Sequence, residues 1–298
     1  MKKITIVFLL FIVSVNQCIS QEWMTSLEIA KRLARVQNKM LFVMWEESTK
    51  YEFPVVFDDE NGQAYYTDLF ENENINKIIW AYFVPVKLND LTYPDLFSKI
   101  ENKRSDKYIR LFQNDGIKIM DANGNILNTG SFHMDPFNFV DFIERYQLNT
   151  SFLKAQLHNY FEKRTFYTTM ALGSKYLDYA VFVNKKVRKE VTDLAFIYID
   201  ESYELLGVEN IENKEAYRQR FILLELKKDL ILNRPRKVLR YLKKVDVSSI
   251  NPLNESLFAF AHYAAYQLIE DEKKAAVWKS KVSLVDLKKA ELILNINN

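Results

Sequence analysis

The sequence predicts an α/β domain, with a central mixed sheet flanked by helices, followed by an all-α array of helical hairpins. Two short apolar runs, at 40–45 and 82–88, are separated by helical spacing and predict parallel strands. Asn123-Gly124 between two apolar runs predicts an antiparallel hairpin. After Asn149, strong helix breakers are few and helical spacing continues to the end of the chain.

The first 20 residues have the pattern of a secretory signal peptide. Two lysines precede an apolar stretch at 4–15, and Cys18 and Ser20 bracket a cleavage point before Gln21. This stretch is shorter than the roughly 20 apolar residues that a membrane-spanning helix needs. We therefore expect an exported protein, periplasmic or secreted, with acylation of Cys18 in a lipoprotein as a minor alternative.

Composition limits the chemistry expected of the mature chain, residues 21–298. It has no cysteine, which excludes disulfides and thiol catalysis, and it carries 39 basic and 39 acidic residues. Such a balance leaves no basic surplus for nucleic-acid binding.

The charges are unevenly distributed between the two halves. Residues 21–147 hold 14 basic and 20 acidic residues, and residues 148–298 hold 25 and 19. Independently solvated surfaces explain this imbalance most simply, and electrostatic docking between the halves is the alternative.

The length predicts one to two domains after the signal peptide at 1–20, and we place them at 21–148 and 149–298. The first begins with a helix near 25–38, capped by Thr25 or Ser26. After the first strand, we expect a helix from Glu46 or Glu47 that Pro54 kinks or breaks.

The remaining elements of the first domain follow from similar signals. Residues 58–71 are predicted to form a polar, aromatic-rich insertion, and short helices are expected around Ile75–Ile79 and 94–100. The hairpin pairs 117–120 with 125–127. A closing helix starts at Asp135-Pro136 and runs through Tyr146. Its expected inner face consists of Phe137, Val140, Ile143 and Tyr146.

The second domain is predicted to form helical hairpins. Its sequence lacks the regular 34-residue recurrence of tetratricopeptide repeats. Asn251-Pro252 is a helix start, and the segment after it has a broad apolar face with small residues. The expected helices span residues 151–163, 166–182, 185–206, 213–232, 235–244, 252–270, and 272–294 with a break.

Three fragments of the first domain resemble exported thioredoxin-like proteins. They are "EWMTSLEIAKRLARVQNKMLFVMW" at the first helix and strand, "YFVPVKLN" at the second strand and "IMDANGNIL" at the hairpin. The order helix, strand, helix with proline, strand, hairpin and closing helix is also the thioredoxin arrangement. The resemblance covers roughly residues 22–147, and the helical half resembles tetratricopeptide-like regions.

The resemblance implies an active-site motif of Trp-Cys-x-x-Cys-Lys followed by a proline. This chain keeps the tryptophan, lysine and proline and replaces both cysteines, in the loop formed by Trp45, Glu46, Glu47, Ser48, Thr49, Lys50 and Pro54. A carboxylate cannot exchange with a disulfide, and a hydroxyl cannot resolve a mixed disulfide. Relatives also carry a cis-proline before the hairpin, and the equivalent loop is Asn114-Asp115-Gly116, without proline.

Other patterns offer weaker candidates for a site. Glu46 and Glu47 could act as acid–base groups, but solvated carboxylates at a helix start are the simpler interpretation. Ser48 has no base nearby in sequence, and the spacing of the three histidines does not indicate a metal. The basic runs at 184–190 and 234–244 are typical of solvated amphipathic helices.

Tyr65, Tyr66 and Phe70 form either an exposed contact or packing over the sheet edge. These observations favour a redox-inactive thioredoxin-like envelope protein that binds another envelope protein or acts as a scaffold, without a cofactor. The alternative is a non-redox enzyme that reuses the thioredoxin cleft with Glu46 or Glu47, and a purely structural envelope component is a third hypothesis.

Overall fold

The computed structural model describes residues 22–58, 63–130 and 137–297. The predicted signal peptide, Cys18, His133 and the predicted helix start at Asp135-Pro136 lie outside these ranges. In chain order, the first half contains α1 (Leu27–Gln37), β1 (Met40–Trp45), β2 (Pro54–Asp58), β3 (Ala64–Asp68), α2 (Glu73–Tyr82), β4 (Phe83–Leu88), α3 (Tyr93–Phe97), α4 (Asp106–Gln113), β5 (Lys118–Met120) and α5 (Phe139–Tyr146).

A mixed sheet with the order β4-β1-β5 organises this half. β1 pairs with β4 in parallel along all six residues, and with β5 in antiparallel orientation. Single bridges extend the sheet on both sides, from Met24 to Val86 and from Met120 to Ile126. The parallel strands and the turn at Asn123-Gly124 are therefore confirmed, although the second hairpin strand is reduced to one bridge.

The segment after β1 differs from the prediction. A single 3-10 turn, Glu47–Lys50, replaces the expected helix, and Pro54 begins β2 instead of kinking a helix. The proline disfavours helical geometry at Phe53, and the β-branched pair Val55-Val56 fits an extended chain. β2 pairs antiparallel with β3, which is drawn from the predicted insertion. Long-range pairing thus overrides the helical pattern expected here.

The predicted inner face of the closing helix was wrong at one position, Val140. Asn138 caps the closing helix by accepting a hydrogen bond from the backbone N–H of Asp141, and the helix begins at Phe139. Its inner face includes Phe139 and Phe142, whereas Val140 is 38% exposed. Helix α4 was not predicted. By contrast, Ser26 caps α1, as its position before the apolar pattern indicates.

The second half is helical, as predicted, and the last expected segment breaks at 280–283. Its helices are α6 (Lys154–Glu162), α7 (Phe166–Tyr179), α8 (Lys185–Val208), α9 (Lys214–Ile231), α10 (Pro235–Leu242), α11 (Glu255–Leu268), α12 (Glu272–Lys279) and α13 (Leu284–Asn295). Gly173 allows α7 to pack closely on α8, since a Cβ there would lie 2.7 Å from Ile199 Cγ1.

The two halves share one apolar core. The larger cluster of buried side chains extends from Phe42 of β1 through Tyr198 of α8 to Ile293 of α13, and a smaller cluster fills the opposite face of the sheet. The guanidinium of Arg35 also lies 3.5 Å from the ring centroid of Phe161. The helices therefore complete the hydrophobic burial of the sheet.

Candidate functional site

The structure brings together the two loops that the sequence singled out. Ser48, in the loop after β1, donates a hydrogen bond from Oγ to Oδ1 of Asp115, in the loop before β5, at 2.8 Å. Both loops lie at the carboxyl end of β1 because β1 and β5 run antiparallel. A hydroxyl–carboxylate bond thus links the two predicted site segments.

Trp45 is a buried structural residue. Its Nε1 donates to the carbonyl oxygen of Phe112 at 2.8 Å, and its ring packs against Phe112 and Tyr93. Burying an indole while satisfying its N–H stabilises the packing of α4 against the end of β1. The tryptophan therefore fixes the position from which the following loop departs.

The loop itself is held mostly by short-range bonds. The carboxylate of Glu47 lies 2.6 Å from Nζ of Lys50, and both side chains are more than half exposed. Thr49 Oγ1 donates to the carbonyl oxygen of Glu46 at 2.8 Å. The backbone N–H of Glu47 donates to Oδ2 of Asp90 at 3.0 Å. These bonds stabilise the turn. Of the two glutamates, Glu47 forms an ion pair with Lys50.

Lys118 is a site residue that sequence reasoning missed. Its side chain is fully buried between the two loops, and Nζ donates to the carbonyl oxygens of Asn114 at 2.6 Å and Gly116 at 2.8 Å. Burial lowers its pKa to about 7, although Asp115 and Asp90 oppose the shift. The one sequence signal was a lysine inside the apolar run at 117–120.

Nζ of Lys118 also lies 5.8 Å from the ring centroid of Trp45. Gly116 donates its backbone N–H to Oδ1 of Asn114 at 3.0 Å, which tightens the loop further. Residues 114–116 are thus held by a buried amine and an Asx turn.

The aromatic residues predicted as a contact separate into two groups. Tyr66 on β3 is 69% exposed, and Tyr65 is 49% exposed while stacking on Phe57. Phe70 packs against the core and meets Trp23 edge to face. Of the two alternatives given for these residues, Phe70 therefore adopts packing, whereas the two tyrosines are surface groups.

A second buried charge lies at the other end of β5. Asp121 is fully buried and accepts hydrogen bonds from the hydroxyl groups of Tyr176 and Tyr198 and from the backbone N–H groups of Asn123 and Asn125. Burial raises its pKa, and these hydrogen bonds oppose the shift. The carboxylate thereby ties the hairpin turn to α7 and α8.

The histidines and the basic runs occupy positions that are explained by packing or by exposure to solvent. His158 is exposed, and His262 is buried against Trp278, with ring centroids 3.9 Å apart. No group of three metal-binding side chains occurs within 22–58, 63–130 and 137–297. Both basic runs lie on amphipathic helices, α8 and α10, whose apolar residues Val187, Val238 and Leu239 are buried.

No protein-family model, curated protein sequence or solved structure matches this chain. Among the described helices, none combines the length and the apolar character needed to span a bilayer.

Proposed function

We propose that the chain is a redox-inactive, thioredoxin-like envelope protein that binds a protein partner or acts as a scaffold. Three features support this proposal: an α/β half whose elements follow the order that the resemblance implies, a loop without sulfur at the position of the family's reactive residues, and an exposed strand edge. Each is supported by a separate observation.

The thioredoxin-like interpretation is supported by the order of elements. A helix, a strand, a parallel second strand, a turn with an antiparallel strand and a closing helix follow one another as the resemblance implies. The facing of residues 45–50 and 114–116 adds to this, because the family's active-site and proline loops are also opposite one another. The β2–β3 hairpin in place of the active-site helix is this chain's departure from the pattern.

The redox-inactive interpretation is supported by composition and geometry. Cys18 is the only cysteine of the chain, so residues 22–298 hold no thiol for exchange. At the corresponding loop, Ser48 is bonded to Asp115, and Thr49 to the Glu46 carbonyl oxygen. The hydroxyl groups of Ser48 and Thr49 thus hold the loop in place.

The exposed edge of β3 carries the binding proposal. Within the described residues, β3 pairs only with β2, and it presents the two exposed tyrosines. An unpaired strand edge can add a partner's extended segment through backbone hydrogen bonds. Tyrosines beside such an edge supply large contact areas at low entropic cost.

Photo-crosslinking tests the proposal in the full mature chain. A photoreactive p-benzoylphenylalanine at position 66 is expected to crosslink one discrete partner from an envelope extract, whereas the same group at Tyr203 on α8, which is 53% exposed, is expected not to. Excess unlabelled wild type should compete with this product. Excess Tyr65→Ala/Tyr66→Ala protein should not.

Absence of a competed product at position 66, or equal products at both positions, would overturn the binding proposal.

A separate assay tests the redox-inactive interpretation. The mature chain is expected to reduce insulin disulfides no faster than a blank containing only the thiol donor. A rate above the blank would remove the redox-inactive interpretation and leave the strand-edge result unaffected.

A further inference from the structure

The structure identifies which backbone groups face the outer edge of the β2–β3 hairpin. On the opposite edge, the backbone N–H of Val56 in β2 donates to the carbonyl oxygen of Phe137 at 2.8 Å. Val56 is the ladder partner of Tyr66 in β3. In an antiparallel pair, two directly opposed residues point their N–H and C=O groups either both toward or both away from each other. The N–H and C=O groups of Tyr66 therefore point to the outer edge.

A second hydrogen bond gives the same alternation. The backbone N–H of Leu69 donates to the carbonyl oxygen of Phe53 at 3.0 Å, so these two opposed residues face each other. Because the direction alternates along a strand, Ala64 and Tyr66 face outward. Within the described residues, no acceptor outside the hairpin takes the backbone N–H of either residue.

This edge lacks the features that usually prevent the addition of another strand. Exposed edges are commonly protected by lysine, by proline or by a bulge. β3 contains neither lysine nor proline, and its ladder with β2 runs through all five residues without a bulge. The outer edge of β3 can therefore accept a further strand.

The two tyrosines of β3 lie on opposite faces of the hairpin, because side chains alternate along a strand. Tyr65 stacks on its ladder partner Phe57, with ring centroids 5.5 Å apart, and Phe57 packs on Phe139 of the core, with centroids 5.2 Å apart. An apolar side chain added beside Tyr65 thus extends the core face. Tyr66 is 69% exposed on the other face, where an added side chain can pack over its ring and still reach water.

The hairpin and its flanks are acidic. Between Lys50 and Lys77 the chain has seven acidic residues and no basic residue. Among the described residues of this stretch, Glu52, Glu71 and Glu73 are exposed, and none of the three forms an ion pair with another described residue. Free carboxylates around a binding edge attract a cationic segment and repel an anionic one.

A cleft of about 410 Å³ adds to the negative charge near the end of β3, where Phe70 forms part of its wall. Its charged lining consists of three carboxylates and one amine, from Glu22, Glu46, Glu73 and Lys87. The negative potential at this end of the hairpin therefore has contributions from the first strand's loop and from the start of α2 as well.

We propose, on the basis of the proposed function, that the partner segment added to β3 is an antiparallel strand in which lysine or arginine alternates with apolar residues. The backbone groups of Ala64 and Tyr66 supply the hydrogen bonds between the strands. Apolar side chains cover Tyr65 and the core face. The basic side chains lie on the face of Tyr66, where a cation packs over the ring and meets the hairpin carboxylates.

Fluorescence anisotropy with labelled peptides tests this proposal on the mature chain at physiological ionic strength. The peptide Lys-Val-Lys-Val-Lys-Val-Lys is expected to bind saturably. The peptide Glu-Val-Glu-Val-Glu-Val-Glu has the same alternation and the opposite charge, and we expect it to bind at least about tenfold more weakly.

Backbone methylation of the lysine peptide separates strand pairing from charge attraction alone. In the proposed register a lysine lies opposite Tyr66, so the backbone N–H groups of the lysines face β3 and those of the valines face away. Methyl groups on the lysine backbone nitrogens should weaken binding by at least about tenfold. Methyl groups on the valine backbone nitrogens keep the same charge and should weaken it by less than about threefold.

Two variants at one position test the same bond from the side of the protein. Tyr66→Pro removes the outward N–H and leaves the ladder with β2 in place, since that N–H takes no part in it. We expect it to weaken binding of the lysine peptide by at least about tenfold. Tyr66→Ala keeps the N–H and loses the ring, and should weaken binding by about threefold.

A third variant tests the charges. Glu52→Gln/Glu71→Gln/Glu73→Gln should weaken binding of the lysine peptide by at least about fivefold. The matched control removes three exposed carboxylates from the helical half and should change affinity by less than about twofold. It is Glu255→Gln/Glu272→Gln/Glu291→Gln. Circular dichroism verifies that each variant is folded.

Three results would overturn the proposal: no saturable binding of the lysine peptide, equal binding of the lysine and glutamate peptides, or equal weakening by methylation at lysine and at valine. In each case a competed crosslink at position 66 would still support the proposed function. Failure of the basic-strand inference can thus be told apart from failure of the binding proposal.

Discussion

The two ends of β5 bury an amine and a carboxyl group, whose hydrogen-bond partners come from different parts of the chain. Lys118 donates to carbonyl oxygens two and four residues away along the chain. Asp121 accepts from tyrosines 55 and 77 residues away, on α7 and α8. One end can therefore form within the first half, whereas the other requires the helical half to be packed.

This difference shows how the two halves become one structure. Removing the partners of a buried charge leaves its desolvation uncompensated, so the Asp121 end strongly favours the docked arrangement. The Lys118 end contributes mainly to the local order of residues 114–116. Four expected outcomes, in decreasing size, test this comparison.

The largest effect is expected for Asp121→Leu. The change leaves two tyrosine hydroxyl groups and two backbone N–H groups without their acceptor, and should lower the free energy of unfolding by about 3–5 kcal/mol. Denaturant unfolding followed by circular dichroism measures it. Tyr198→Phe removes one donor to Asp121 and also the hydroxyl oxygen that accepts from the side-chain amides of Asn123 and Asn125, and it should lose about 1–3 kcal/mol. A smaller loss for Asp121→Leu than for Tyr198→Phe would contradict the comparison.

His262 is a contrasting case to Lys118 and Asp121, because it is a buried ionisable group without hydrogen-bond partners. Neither of its ring nitrogens has a partner in the described part of the chain. Burial lowers its pKa from 6.5 to about 4. As pH falls below 6.5, the unfolded chain takes up the proton before the folded chain does. Folding stability attributable to this residue is therefore full above 6.5 and is lost progressively down to about 4.

The measurement is the free energy of unfolding of wild type and His262→Phe between pH 7 and pH 4. Wild type should lose up to about 3 kcal/mol more than the variant across this interval. His158→Gln, at an exposed position, is the matched control and should follow wild type. Parallel pH profiles for wild type and His262→Phe would refute the expectation.

Lys118 should make the free energy of unfolding depend on pH in the alkaline range, above the range in which His262 acts. Its folded-state pKa of about 7 is below the ordinary 10.5, so between these values the unfolded chain binds the proton and the folded chain does not. Stability therefore rises with pH across this window. Between pH 7 and pH 9, wild type should gain about 2 kcal/mol relative to Lys118→Met.

Chemical unfolding at both pH values measures the gain, and Lys99→Gln, at an exposed position, serves as the control. If wild type and Lys118→Met change equally between pH 7 and pH 9, the buried amine at the loop site is not the source of the effect.

The smallest effect is expected for the bond between the two predicted site loops. A double-mutant cycle with Ser48→Ala and Asp115→Ala should give a coupling energy of about 1 kcal/mol, since the bond joins a buried hydroxyl to an exposed carboxylate. Thermal or chemical unfolding of the four proteins measures it. A coupling near zero would mean that the loops are held together by packing and by Lys118 instead.

Several features of the fold were predictable because their signals are local. β1 consists of six consecutive apolar residues, and its bounds agree with the prediction. Ser26 stands before an amphipathic pattern, and Asn123-Gly124 occupies a tight turn with Gly124 at φ 89°. Residues close in sequence carry all the information for these elements.

The segment 46–58 was not predictable in the same way. Its residues are compatible with a helix start, but β2 forms through pairing with β3, ten or more residues further along the chain for most pairs. Likewise, α4 is a short helix whose packing around Trp45 depends on β1. Propensity is a weak prior that tertiary pairing overrides.

The features of the candidate site also separate into those that local sequence predicts and those that depend on tertiary packing. The absence of cysteine from loop 45–50, and the meeting of that loop with residues 114–116, could be inferred from the order of residues and the expected topology. The burial of Lys118 and Asp121 could not. Whether a charged side chain is buried depends on partners that the chain supplies from distant positions, and their geometry exists only after the two halves have packed together.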